Sequence, residues 1–224
     1  ERVILGVPGI SLGFTMNHSP AFGTFEMLLT CTFLHRRHIR IIVSIMQSSW
    51  DAVEGAGWLA SQGAALSGQH RPPVLLQAGL GDPVIPNFAS ESLARAFNAT
   101  VVPHNPKKNI VGVPVASKST LQSPSLISQP GSTVVLTEVL YTHEYAALRD
   151  DSRPLPEDSH IRRVNHVHFC LRQNCNAMDQ LATFVNSGVI VDPCANGGCV
   201  VDHAECYMFW QKDNTRSSNW TCPA

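Results

Sequence analysis

At 224 residues and 24.4 kDa, with 44% hydrophobic residues, the chain is long enough to bury a sizeable core, which excludes disorder and favours one domain over two. Sixteen Lys and Arg against 17 Asp and Glu leave a formal charge of −1, so the chain as a whole generates no field that favours nucleic acid or an anionic membrane. Its longest apolar runs, such as Ile41 to Met46 and Val189 to Val191, fall far short of the ~20 residues that cross a bilayer.

Arg2 to Val7 is a short run of branched apolar residues ending at Pro8-Gly9, which reads as a buried strand entering a tight turn. The apolar stretch from Val3 to Phe14 lacks the cleavage site of a signal peptide. Thr24 to Leu34 and His38 to Trp50 carry apolar residues at helical spacing, separated around Arg36-Arg37. Val74 to Ala78 reads as a second buried strand, closed by Gly79-Leu-Gly-Asp82-Pro83. Asn87 then caps an expected helix over Phe88 to Phe97, with Glu91 and Arg95 as an i, i+4 pair. Pro103 to Pro130 reads as a long surface connection, Ser132 to Tyr141 as a third strand, and Arg149 to Arg163 as a loop. Leu171, Cys175, Met178, Leu181 and Val185 mark an amphipathic helix ended by Gly188. Strands alternating with helices predict an α/β domain with a mostly parallel sheet.

Seven cysteines are many for a reducing compartment, and their odd number leaves at least one unpaired within the chain. Cys194 and Cys199, joined by Ala-Asn-Gly-Gly, are the best disulfide candidates, with Cys206 and Cys222 a possible second pair. Cys31 reads as core, and a bridge between Cys170 and Cys175 is disfavoured because they point to different faces of a helix. The sequons at Asn98 and Asn219 agree with a secreted, glycosylated chain.

Gly9-Ile-Ser11-Leu12-Gly13 matches G-x-S-x-G, the sharp strand-to-helix turn that exposes a serine oxygen, and a branched strand stands directly before it. A structural glycine turn is the competing reading. Asp82 follows a buried strand, at the carboxyl end of the sheet where α/β folds place their sites, so it can orient a histidine. His168, just before the amphipathic helix, is a reasonable general base. The chain order Ser11, Asp82, His168 is nucleophile, acid, base. His166 and His168 have no third ligand at a recognisable spacing, so no metal or other cofactor is expected.

Val74 to Ala96, reading VLLQAGLGDPVIPNFASESLARA, resembles the acid segment of a group of large microbial lipase- or esterase-like α/β hydrolases. Gln47 to Gly55, Gly131 to Glu138, and His168 through Gln180, Phe184, Gly188 and Cys194 resemble further segments of that group, so the likeness runs in patches from about residue 3 to 199. Pro8, Phe14 and the tail after Val200 depart from its pattern.

The resemblance implies a partial α/β hydrolase fold over 1–192, lacking the early strands, followed by a cysteine-rich irregular tail over 193–224. It makes Ser11 the nucleophile, Asp82 the acid and His168 the base of a carboxylic-ester hydrolase, with His166 the lesser alternative to His168, Gly9 and Gly13 shaping the elbow and the Leu12 N–H as one oxyanion donor. It also implies a small-molecule or lipid ester as substrate, no nucleic acid partner, and an upstream segment of the same protein pairing along Val3 to Val7. The alternative is a catalytically inactive, disulfide-stabilised extracellular binding module. A peptidase on the same fold would use the same three residues.

Overall fold

In a computed structural model, the structure describes residues 2–33, 35–55, 72–117, 121, 133–142 and 167–202. The strands are β1 (Val3–Gly6), β2 (Val74–Leu80), β3 (Thr100–Val101), β4 (Val134–Thr142) and β5 (Val200–Asp202). The helices are α1 (Leu12–His18), α2 (Gly23–Phe33), α3 (Arg36–Trp50), α4 (Asn87–Ala96), α5 (Val167–Cys170) and α6 (Cys175–Ser187). Among the described residues, every strand pairing is parallel. The sheet order is β1-β2-β4-β3, and β5 also joins β4. β3 pairs low on β4, at Val135 and Leu136, while β5 pairs high, at Leu140 to Thr142, so the two short strands share one edge.

All seven residues of β2 are buried, as a parallel strand covered on both faces requires. Leu75 faces one apolar cluster with Val135, Val139, Val167, Leu171 and Phe184; Leu76 and Ala78 face another with Leu93, Ala94 and Leu136. Helices α5 and α6 therefore cover one face of the sheet and α4 the other. This is the expected α/β architecture, with a mostly parallel sheet and flanking helices.

Several local expectations change. Cys31 is an exposed free thiol rather than core: α2 turns its half-buried Phe25, Leu29 and Phe33 stripe inward, and Cys31 lies off it. Asn87 does not cap α4. Its buried side chain instead accepts from Gly81 N (2.8 Å) and donates to Gly79 O (2.7 Å), tying the loop after β2 to the strand it leaves. The connection after residue 103 is not all surface, since Ile110, Val113 and Ala116 are buried and Val115 bridges to Val101. Strand β5 lies within the stretch, 193–224, that the resemblance leaves as an irregular tail. Gly188 closes α6 in the left-handed conformation, φ 78°, as expected.

Cys194 and Cys199 form a disulfide, and Cys170 and Cys175 are each disulfide-bonded too. These cystines fit an oxidising compartment. Cys206, Cys222 and Asn219 lie outside the described residues. Among the described residues, no helix is long and apolar enough to cross a membrane.

A buried polar ladder fixes α6 on the sheet. Gln77 Nε2 donates to Ala177 O (2.8 Å) and Gln180 Oε1 (2.9 Å), while Gln180 Nε2 donates to Thr137 Oγ1 (2.8 Å) and Val191 O (2.9 Å). Gln180 is fully buried, so its amide serves two strands and the chain beyond α6 at once. Gln180→Ala leaves those partners buried without it and opens a cavity, at a cost of about 2–4 kcal/mol. A fall in urea midpoint at unchanged slope is the expected result.

Candidate active site

The chain leaves β2 at Leu80 and places Asp82 two residues beyond, at the carboxyl end of the sheet. Burying a carboxylate is costly unless hydrogen bonds replace its water. Asp82 Oδ1 accepts from Val84 N (2.7 Å) and Ile85 N (3.0 Å), and Oδ2 meets His168 Nδ1 at 2.9 Å. The side chains of Asp82 and His168 are 1% and 15% exposed. A carboxylate so surrounded acts only as acceptor, which puts the proton on Nδ1 and leaves the Nε2 lone pair of His168 available as a base.

His168 reaches Asp82 because α5 packs closely on β2. A Cβ on Gly79 would lie 2.6 Å from Val167 Cγ1 and 3.9 Å from the Tyr141 ring. Glycine at this point in the strand is therefore what lets the histidine helix approach. Asp82 follows its strand as expected, whereas His168, expected in the loop before the amphipathic helix, lies within the separate short helix α5. His166 lies outside the described residues.

Ser11 sits differently. Strand β1 ends at Gly6 and α1 begins at Leu12, so a five-residue turn separates them rather than a sharp elbow. The residue with left-handed backbone is Val7, at φ 48°, whereas Ser11 is extended, at φ −85° and ψ 155°. Ser11 Oγ accepts from Phe14 N at 3.3 Å, the geometry of a helix N-cap, and makes no hydrogen bond to His168 among the described residues. The expected oxyanion donor is occupied as well. Leu12 N donates to Glu54 Oε1 (2.5 Å), and Gly13 N donates to Gln47 Oε1 (2.7 Å). Both motif glycines are explained by packing: a Cβ on Gly9 would meet Ile85 Cγ2 at 2.6 Å, and one on Gly13 would meet Gln47 Oε1 at 2.9 Å. Pro8 O accepts from Ser90 Oγ, and Phe14 stacks on Phe88. The structure thus brings Asp82 and His168 together and assigns the G-x-S-x-G segment to a helix start.

Three features have no signal in the local sequence. Glu54 caps α1 from 42 residues away. His104 Nδ1 meets Asp192 Oδ2 at 2.8 Å, a second and more exposed histidine–aspartate pair. The Tyr141 hydroxyl is buried on β4 with no hydrogen-bond partner among the described residues. Among the described residues, no group of three His, Cys, Asp or Glu is placed to hold a metal ion. Asn98 of the first sequon is exposed, at the end of α4.

No family model matches the chain, and neither do any curated protein or solved structure.

Burial, and then the charge of Asp82, push the Tyr141 hydroxyl well above the ordinary tyrosine range. A raised pKa in the folded state means stability that is intact below about pH 10, where the unfolded tyrosine titrates, and lost as pH rises further. Tyr141→Phe removes both this alkaline loss and a desolvated, unpartnered hydroxyl. It should stabilise the fold by about 1 kcal/mol at neutral pH, by more above pH 10, and show a flatter pH dependence in thermal unfolding.

Proposed function

We propose that the chain carries the base–acid pair of a serine-hydrolase-type site, His168 as general base and Asp82 as its orienting acid, acting on carboxylic esters. The observation that carries the reading is the 2.9 Å bond from a buried, fully satisfied carboxylate to Nδ1, which leaves Nε2 to accept a proton at the carboxyl end of a parallel sheet. The resemblance of Val74 to Ala96 to lipase- and esterase-like α/β hydrolases supports the ester as substrate class.

In this mechanism Nε2 takes the proton of a serine hydroxyl as its oxygen attacks the ester carbonyl, and Asp82 holds the ring in the productive tautomer and stabilises the imidazolium. The proton then passes to the leaving alcohol. Water, activated by the same nitrogen, releases the acid. Ser11 would have to turn its hydroxyl off Phe14 N, and Leu12 N–H would have to leave Glu54, before either could serve here. We therefore read Ser11 as the N-cap of α1 and the attacking hydroxyl as one that meets Nε2 from outside the turn at residues 7–11.

The second reading, an inactive hydrolase-like binding module, is favoured by that same closed arrangement around Ser11 and Leu12. Reaction of the native protein with a fluorophosphonate probe separates the two. Labelling should fall at least 100-fold in His168→Ala and, through the wrong tautomer, comparably in Asp82→Asn. In Ser11→Ala it should stay within about threefold of wild type, with about 1 kcal/mol of stability lost at the cap. Peptide mapping that finds the label on Ser11 would restore the elbow assignment. No labelling of the wild type would leave the pair structural and favour the binding module.

A further inference from the structure

The near-neutral charge of the chain conceals a segregated surface. Residues 12–50 hold Arg36, Arg37 and Arg40 against a single acid, Glu26, whereas the rest of the chain holds 13 cationic and 16 acidic residues. The three arginines stand together at the start of α3, exposed, with the exposed rings of His35 and His38 beside them.

The same helices leave apolar side chains in water. No residue of α2 is fully buried. Its Phe25, Leu29 and Phe33 stripe is half-buried, which leaves Met27 and Leu28 outward, 63% and 62% exposed. On α3, Ile39 and Val43 are buried, and Arg37, Ile41 and Ile45 form an exposed i, i+4, i+8 row, the two isoleucines at 49% and 64%. Helices α2 and α3 pack against each other, so Met27, Leu28, Ile41 and Ile45 belong to one helical pair that ends in the arginine cluster. Scattered exposed apolar residues are ordinary, but a concentration of them on neighbouring helices marks a contact surface.

We propose that the α2–α3 pair docks on an anionic lipid surface, with Met27, Leu28, Ile41 and Ile45 entering the interface and Arg36, Arg37 and Arg40 meeting the headgroups. Charge complementarity selects this occupant. Helix α3, with an exposed apolar row headed by Arg37 and two further arginines in its first turns, has the composition of a helix that lies in a lipid interface, and the neighbouring α2 adds Met27 and Leu28. A nucleic acid would use the arginines and leave the apolar row in water. A second copy of the chain would oppose one arginine cluster to another if it docked the same face symmetrically. The proposal does not depend on the hydrolase reading.

The test is sedimentation with vesicles of phosphatidylcholine mixed with phosphatidylglycerol, against vesicles of phosphatidylcholine alone. The native protein should partition onto the mixed vesicles and release at high salt. Each basic side chain near an anionic surface contributes about 1 kcal/mol, so the triple change Arg36→Gln, Arg37→Gln, Arg40→Gln should weaken partitioning about 100-fold. The double change Met27→Asp, Leu28→Asp should weaken it at least about 10-fold with the arginines intact. All five residues are exposed, and circular dichroism and melting are measured on each variant, so that a loss of binding in a variant that keeps both reports the surface. Equal partitioning onto both vesicle types, or no effect of either set of changes, would overturn the proposal. A dimer in solution that Met27→Asp, Leu28→Asp dissociates would assign the face to a second copy instead.

Discussion

The buried carboxylate of Asp82 is the constraint from which this end of the molecule follows. An ion removed from water needs its lone pairs met by donors, and the loop after β2 is shaped to supply them. Val84 and Ile85 present their amides to Oδ1, which fixes the turn through Pro83. Asn87 locks the start of that loop by bonding Gly79 O and Gly81 N, with Gly81 in the left-handed conformation at φ 82°. Helix α4 therefore starts where it does, and its first turn holds the strand-to-helix segment of β1 through Ser90 to Pro8 O and Ile10 N to Ala89 O. The remaining donor is His168, admitted by the missing side chain of Gly79. One burial requirement thus sets a loop, a helix start and the approach of a second helix.

What was legible in the sequence is what local pattern determines. A run such as Val74 to Ala78 has one stable destination, the middle of a covered sheet, and an acid just beyond it must lie at the carboxyl edge. Gly188 closes α6 in the role expected of it, although that helix buries Ala177, Gln180 and Phe184 rather than the expected row through Met178 and Val185. Strands β3 and β5, two and three residues long, carry no such pattern, because β4 supplies their pairing from 35 or more residues away. Asn87 shows how tertiary demand overrides a local preference: its amide reaches the backbone of β2, which outranks the helix cap that the sequence offers. Ser11 is the same lesson at the site. The G-x-S-x-G spacing specifies small residues, and small residues are equally what close packing on Ile85 and Gln47 demands. Whether such a segment becomes an elbow depends on where the left-handed residue falls, and it falls at Val7.

Two histidine–aspartate pairs of nearly equal length raise the question of why only one carries a chemical reading. Asp192 accepts the ring and the backbone amide of His104 and, through Oδ1, the amide of Cys194, so it staples the segment after β3 to the cystine loop. Its histidine is 55% exposed, where solvent competes for the same bond and a general base gains nothing from its setting. β3 also joins β4 at Val135 and Leu136, well short of the end of that strand, so His104 stands along the side of the sheet rather than above its carboxyl edge. His168 differs in each respect. Its partner is 1% exposed, the residue before it, Val167, packs on β2 at Gly79, and it lies beside the loop that closes that strand. Identical donor and acceptor atoms therefore sit in different settings, and burial together with position on the sheet is what supports proposing a base at His168 and a surface staple at His104.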